Sequence, residues 1–557
     1  MRKPRFRWMS RSAAQVGVGV LVLMGLAFSV PSDNYFEIAK NLDVFATLFK
    51  EVNALYVDEV NPKQLVDTGI GGMLENLDPY TSYIPEERRE AFSIQNTGQY
   101  AGIGTLIGHV NKKTVVTHPY PGFPASRAGI RVGDEFISVD GKDVRGKSTA
   151  EVSALLKGKP QTDIKLVLKR HGQKDNLTFA LKREQIKINN ITYAGLVSAG
   201  VGYIQLGEFT PGAGKEVADA VTQLKGQGAN QLILDLRDNP GGSLYEAVNI
   251  VNVFLPKGQR VVSMKGKAEE WNKTYTTLNN PVDAQIPLAV LINQASASAS
   301  EIVAGALQDY DRAVLVGQRS FGKGLVQTTR PLSYGAQVKI TTAKYYIPSG
   351  RCIQEMDYSH RQPNGRVSKV ADSLRHEFRT AGGRIVFDGG GLKPDVEMTA
   401  EGQSSWVATL IQTGFVFDYA TLFCNERPAP ADMKNFVFTD ADYGNFTAWL
   451  KTQPFTYQTP LEKQVLSLQE AAQAEQYESI LKEPLQQLKQ KTQPSVAASL
   501  ARHKAEVKRA LTEQIGFHYQ QYIGQRESTF AFDGELIRAV QLVSDRTAYQ
   551  ALLAPAK

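Results

Sequence analysis

The stretch Pro287–Gln327, PLAVLINQASASASEIVAGALQDYDRAVLVGQRSFGKGLVQ, decides how this 557-residue chain is read. Pro287–Ile292 is a continuous apolar run of strand length, the pattern of a strand buried on both faces. The alternating alanines and serines after it open a helix that runs to Asp309, and Ala313–Val316 is again a short apolar strand. Strand, helix, strand is the unit of an α/β fold. The alternation extends upstream. Tyr203–Leu206 is a strand, and Lys215–Lys225 aligns Val217, Val221 and Leu224 on one helical face. Gln231–Arg237 is a second buried strand, ending in Asn239-Pro240-Gly241-Gly242, and a helix follows over 243–254.

Two chemical groups stand out. Serines 296, 298 and 300 sit where a helix begins, a place that favours developing negative charge. Lys323 lies between two glycines, and a serine with a lysine makes a nucleophile and its base. Each group also has a plain explanation. Ser298 followed by Glu301 is a capping box, which satisfies the orphan amides of a helix start, and Glu301 is read here as that cap. Lys323 is equally a solvated lysine in a tight turn. Gln327 lies four residues on, and in an extended segment positions 323 and 327 face the same side. A free lysine with a pKa of about 10.4 is neutral in roughly one molecule in 2,500 at pH 7. Making it a base near pH 8 takes roughly 3.3 kcal/mol of destabilisation of the ammonium. Phe321, Leu325 and Val326 are the neighbours that could bury it.

Composition is ordinary for a globular protein, with 42% hydrophobic and 21% charged residues. The net charge of +7 is spread along the chain, clustering only at the N-terminus, so nucleic acid is not an expected partner. Seven histidines show no H-E-x-x-H and no zinc spacing, and no metal or other cofactor is expected. Cys352 and Cys424 read either as a pair or as two buried thiols. Residues 1–32 carry five basic residues and then an uncharged apolar run from Ser12 to Val30. That is a signal peptide or a membrane anchor, with the remainder exported to a periplasmic or other extracytoplasmic space.

From 33 to 96 the pattern is helical, with Leu42, Phe45, Leu48, Phe49, Val52 and Leu55 on one face. This segment is either a dimerisation piece or an element packed on its own neighbours. Residues 97–185 form a small separate domain with short strands at Ile103–Ile107, Thr114–Thr117, Glu135–Val139 and Ile164–Leu168, and a helix at Thr149–Leu156. The string Pro124–Asp134 with Ile137–Gly141 resembles a PDZ domain of bacterial protease type. In that fold a glycine-containing loop, here Ala101-Gly102-Ile103-Gly104, presents amides to a peptide's terminal carboxylate.

Taken together, the motifs resemble the carboxyl-terminal processing peptidases, or tail-specific proteases. They are Leu77–Tyr83, the PDZ string, Asp235–Gly242, Ser296–Asp309, Phe321–Gln327, Thr341–Arg351 and Gly391–Asp395. The resemblance spans roughly Tyr35 to Glu397. It implies a crotonase-like (ClpP-like) α/β core over 186–400, with Phe321–Ala343 and the strands Gln337–Thr341 and Tyr345–Ile347 completing the core sheet. It implies Ser298 as nucleophile, Lys323 as base 25 residues on, and Gln327 as the residue orienting the lysine. It implies an oxyanion hole from the amide of Ala299 and one from the Gly241-Gly242 turn. Its substrates would be proteins with unstructured C-terminal tails held by the PDZ domain, which can also gate the site. Ala295 departs from the glycine common at that position.

Residues 401–557 lie beyond the resemblance. Phe436, Phe438, Phe446, Trp449 and Leu450 suggest a compact helical start, Val496, Leu500, Val507, Leu511 and Ile515 one face of a long helix, and Ile537, Val540 and Leu542 another. The region reads as an oligomerisation or adaptor-binding part, or as a cap on the core. Two other functions fit parts of the pattern. A catalytically idle PDZ scaffold would lack Ser298 or Lys323, and both are present. A crotonase-type acyl-CoA enzyme rests on core architecture alone and leaves the export segment and the PDZ string without a role.

Overall fold

The computed structural model describes residues 32–362, 365–399, 402–492 and 495–555. Of the segment read as a signal peptide or anchor, residues 1–32, all but Ser32 lie outside them. The chain divides into two compact units, residues 1–79 and 80–557. Within the first, helices span Ser32–Leu55 and Pro62–Glu75. Asn61 caps the second, accepting from the Gln64 amide, and Pro62 occupies the first turn, where its missing N–H costs nothing. Leu42, Phe45 and Leu48 of the expected apolar face are exposed.

The centre of the second unit is a six-stranded sheet. Its order is Ile191–Ser198, Val201–Leu206, Gln231–Asp235, Leu288–Ile292, Val314–Gly317, Val396–Glu397, and every pair after the first is parallel. Side chains alternate across it. Ile204, Leu234, Val290 and Leu315 pack under the helices Ala213–Gly226, Leu244–Phe254 and Ala299–Asp309. Tyr203, Ile233, Ala289, Leu291, Val314 and Val316 point the other way, against Leu536, Ala539, Leu542, Val543 and Tyr549. The continuous apolar strands are thus buried on both faces, and the last two helices, Gly534–Ser544 and Arg546–Leu553, supply the second cover. Arg237 ties the two together. Its guanidinium donates to both oxygens of Asp235 at the strand end and to Asp533 and Glu535 at the start of the covering helix. Burial alone would raise the Asp235 carboxyl, but Arg237 outweighs it and holds it below the ordinary carboxylate range.

Two expectations need correction. Residues 337–347 do not complete the parallel sheet. Gln337–Tyr346 is one ten-residue strand at the heart of a separate antiparallel sheet, paired with Leu325–Pro331, Arg260–Gly266 and Ser82–Ile84. Gly322, at φ +85°, lies in the turn just before the strand Leu325–Pro331, where the left-handed conformation favours glycine. The long helix expected from Val496 onward is broken twice, at His503 between Val496–Arg502 and Lys504–Glu527, and again within the latter at Gln520 and Gln521, where φ is −133° and +56°.

The PDZ strands form their own sheet, in the order Thr105–Val110, Lys113–Pro119, Glu135–Val139, Asp163–Lys169, Leu177–Lys182. The helix Thr149–Leu156 begins in a capping box of Ser148 and Glu151. The domain packs against the C-terminal helices. Asn111 donates to Asp418, and His118 is enclosed by the rings of Tyr120, Phe517 and Tyr522 at 4.7, 5.4 and 4.7 Å. Burial pushes His118 down to about 4, and does the same to His518 nearby, which bonds Thr421 and the Gln514 carbonyl. Both rings are therefore neutral in the fold, and the unfolded chain binds more protons than the folded one between pH 4 and 6.5. Stability is present above pH 6.5 and is lost on acidification through that window, by about 3 kcal/mol per ring as an upper bound. The urea midpoint should fall steeply from pH 6.5 to 4 in the wild type and more gently in His118→Phe.

Candidate active site

The strand Leu288–Ile292 delivers the chain to the C-terminal edge of the parallel sheet, where it turns into the helix Ala299–Asp309. The three serines of that turn do different things. Ser296 and Ser300 are completely buried, and their hydroxyls donate to the carbonyls of Leu236 and Asn239 at 2.8 and 2.9 Å. They fasten the turn to the end of the neighbouring strand. Ser298, between them, is only half-buried and takes a strained backbone conformation, φ +54° and ψ −111°. A non-glycine residue held there costs of order 1–3 kcal/mol and persists only where its surroundings dictate it.

The Asn239–Gly242 turn lies directly against this serine. Asn239 organises it, with its amide group donating to the Leu206 carbonyl at 2.6 Å and its oxygen accepting from the Gly241 amide at 2.9 Å. The Ala297 amide donates to the Asn239 carbonyl at 3.1 Å. At Gly241 (φ +91°) a Cβ would stand 2.6 Å from the Ala297 carbonyl oxygen and 2.7 Å from the Ala299 nitrogen, so only glycine fits. The Ala299 amide and the Gly241-Gly242 backbone are thus brought together. Since the Gly241 amide is engaged by Asn239, the Gly242 amide is the one with no partner among the described hydrogen bonds.

Lys323 is half-buried, with Nζ 4.5 Å from the centre of the Tyr80 ring. Leu325 is buried and Val326 partly so, while Phe321, expected to help bury the lysine, is 44% exposed. Lys323 precedes the strand Leu325–Pro331, and the register shift beside Val326 and Gln327 places its extra residue, Thr342, on the partner strand. Gln327 donates to the Thr341 hydroxyl at 3.1 Å, on the adjacent strand.

Two residues that the sequence reading left without a chemical role connect the turns. Glu301 is completely buried, and its carboxylate accepts from the Ser298 and Lys323 amides at 2.9 Å each, the Gly322 amide at 2.7 Å and the Ser320 hydroxyl at 2.6 Å. Burial pushes its carboxyl up to about 7, against the pull of these four donors toward the ionised form. The Tyr345 hydroxyl lies 2.7 Å from the Lys323 carbonyl and 3.2 Å from that of Ser298. Spacing within the S-x-x-E string was the available signal for Glu301, but it points only to a cap. Nothing local marks Tyr345.

In the PDZ domain the expected loop Ala101–Gly104 is half strand, because Ala101 and Gly102 end the strand Gln99–Gly102, which pairs with Glu184–Lys187, and only Ile103 and Gly104 lie beyond it. The carbonyls of Ala101, Ile103 and Gly104 accept from the amides of Gly158, Ala125 and Tyr120. Gly102 and Ile103 line a cavity of about 400 Å³, closed by Leu106, Ile107 and Leu156, and by Ile94 of the helix Arg89–Thr97. Its walls are largely apolar. Cys352 and Cys424 are free thiols. Among the described residues no cluster of His, Cys, Asp and Glu could hold a metal.

Comparison with known proteins gives three family matches. Residues 200–359 match "Peptidase family S41", 115–170 "PDZ domain", and 406–543 "Probable PDZ-protease, C-terminal helical domain". The chain is similar to the "Carboxy-terminal-processing protease" of Bartonella bacilliformis, 34% identical over 60% of this chain and 77% of that one. It is 37% identical to the "Probable CtpA-like serine protease" of Staphylococcus aureus (strain MRSA252), over 56% of this chain and 62% of that protein's length. Among solved structures, a "Photosystem II D1 C-terminal processing protease" is 28% identical over 64% of this chain and 92% of that one, with a TM-score of 0.33.

Proposed function

Because this chain belongs to the carboxyl-terminal processing peptidase family, we propose that it is an exported serine endopeptidase that takes protein substrates by their unstructured C-terminal tails. The observation that carries the reading is the discrimination among the three serines. Two are buried in structural hydrogen bonds, and Ser298 alone is strained, partly exposed and joined through one carboxylate to the turn of a lysine. The Ser298 oxygen attacks the scissile carbonyl carbon and gives its proton to neutral Lys323. The tetrahedral oxyanion is met by the amides of Ala299 and Gly242. The C–N bond then breaks, the lysine returns the proton to the leaving amine, and water hydrolyses the acyl-enzyme by the same route. Gln327 acts from the second sheet, orienting the lysine from beside Thr341.

The apolar cavity beside Ala101–Gly104 suits a tail ending in an apolar residue, with the loop amides meeting its carboxylate. The basic N-terminus and the apolar run after it support export, with the segment cleaved or kept as an inner-membrane anchor. The exposed apolar side chains of Ser32–Leu55 support assembly into a dimer or larger oligomer, and the helical region 401–557 is where an adaptor would find a surface outside the core.

The test uses an unfolded, fluorescently labelled protein ending in leucine-valine. Wild type is expected to cleave it, and to cleave the same protein with a C-terminal amide about tenfold more slowly, the loss of one charge-assisted contact set. No cleavage by the folded wild type overturns the protease reading. Equal rates on the acid and the amide overturn tail recognition.

A further inference from the structure

Ser298 and Lys323 belong to different layers. One ends a strand-to-helix turn of the parallel sheet, and the other lies in the turn that enters the antiparallel sheet. Catalysis by such a pair tolerates little error, since a misplacement of about 1 Å can cost about 10²-fold in rate. Something must therefore set the distance between the two backbones. Helix capping by Glu301 needs only its bond to the Ser298 amide. The other three bonds cross to Ser320, Gly322 and Lys323 of the lysine turn, beside a single backbone bond from the Phe321 amide to the Ser296 carbonyl.

A carboxylate offers about four acceptor sites on two oxygens, and here all four are taken. Oε2 carries the amides of the two dyad residues, and Oε1 carries Gly322 and Ser320. Tyr345 adds a second link, through the carbonyls. Its buried hydroxyl lies between the carbonyls of the same two residues, donating mainly to Lys323 at 2.7 Å.

We propose that Glu301 and Tyr345 are positioning residues that together fix the separation of Ser298 and Lys323, Glu301 through their amides and Tyr345 through their carbonyls. The proposal rests on the reading of Ser298 and Lys323 as the reacting pair. It assigns Glu301 a role beyond its helix and brings in a tyrosine from the second sheet, so the antiparallel layer becomes part of the catalytic scaffold. A glutamine at 301 keeps one acceptor oxygen and sets its NH₂ against two donors, so half of the clamp is lost. Phenylalanine at 345 removes one oxygen and leaves the ring packing intact.

The experiment compares wild type, Glu301→Gln and Tyr345→Phe as full-length chains. It measures kcat and KM on the labelled unfolded substrate and the rate at which a fluorophosphonate probe modifies Ser298. Circular dichroism and binding of a fluorescent leucine-valine peptide to the PDZ domain report folding. We expect kcat and the phosphonylation rate to fall about thirtyfold in Glu301→Gln and about fivefold in Tyr345→Phe, with KM and peptide affinity within twofold of wild type. Tyr345→Phe keeps the test open if Glu301→Gln does not fold. Folded variants that react with the probe at the wild-type rate overturn the clamp. So does a loss of activity that only follows the unfolded fraction. Failure of wild type itself to react or cleave overturns the serine-lysine reading and this proposal with it, an outcome distinct from the other two.

Discussion

Lys323→Ala is expected to lower kcat by about 10³-fold or more while leaving tail-peptide affinity within twofold of wild type. The argument separates the side chain from its backbone. The turn is held by bonds from the amides of Gly322 and Lys323 to Glu301 and from the Tyr345 hydroxyl to the Lys323 carbonyl, none of which alanine removes. What is lost is the amine with its interactions, among them the packing over the Tyr80 ring, a contact of about 0.5–1 kcal/mol. The variant should therefore fold, and its defect should lie in proton transfer. Lys323→Arg should be nearly as inactive, because a guanidinium keeps its charge and cannot accept the serine proton. Ser298→Ala should match Lys323→Ala, and the double variant should be no worse than either, since the two groups act as one unit. A Lys323→Ala protein retaining more than a tenth of wild-type kcat in single-turnover cleavage would remove the lysine from the mechanism.

The parallel core was readable because burial on both faces leaves a mark in the chain. Gln231–Asp235 and Leu288–Ile292 are apolar without alternation, and each is followed by a helix. What covered the second face was not readable. The helix Gly534–Ser544 has an amphipathic pattern like many others, and only the folded chain brings it to the sheet, some 240 residues after the strand it covers. The serines show a similar limit. Alternation of alanine and serine marked a functional turn and the resemblance pointed to Ser298, but the physical reason for the choice, that Leu236 and Asn239 lie beside Ser296 and Ser300, is visible only in the fold. Glu301 shows the converse. Local spacing explains one of its four bonds so well that the other three are hidden.

The Gly241 turn offers a test in which crowding can be separated from backbone strain. Gly241→Ala would place a methyl group 2.6 Å from the Ala297 oxygen, 2.7 Å from the Ala299 nitrogen and 3.0 Å from the Ser298 Cβ. Two of these neighbours are backbone atoms of the nucleophile's own turn, so relief requires moving that turn. Both the Ala297 oxygen and the Ala299 nitrogen must give way, and the latter is the donor that would meet the oxyanion. Loss of one such donor costs about 10²- to 10³-fold in kcat, and that is the expected effect of Gly241→Ala. Gly258 provides the control. It has a similar φ, +87° against +91°, but an added Cβ there meets nothing within 4 Å. Gly258→Ala should therefore lose about 1 kcal/mol of stability from backbone strain alone and keep its kcat. If strain were the whole matter, the two variants would fall equally in both stability and turnover. If the contact at Ala299 matters, the kcat of Gly241→Ala collapses while its PDZ domain still binds the leucine-valine peptide, because that cavity is formed by a separate sheet and helix.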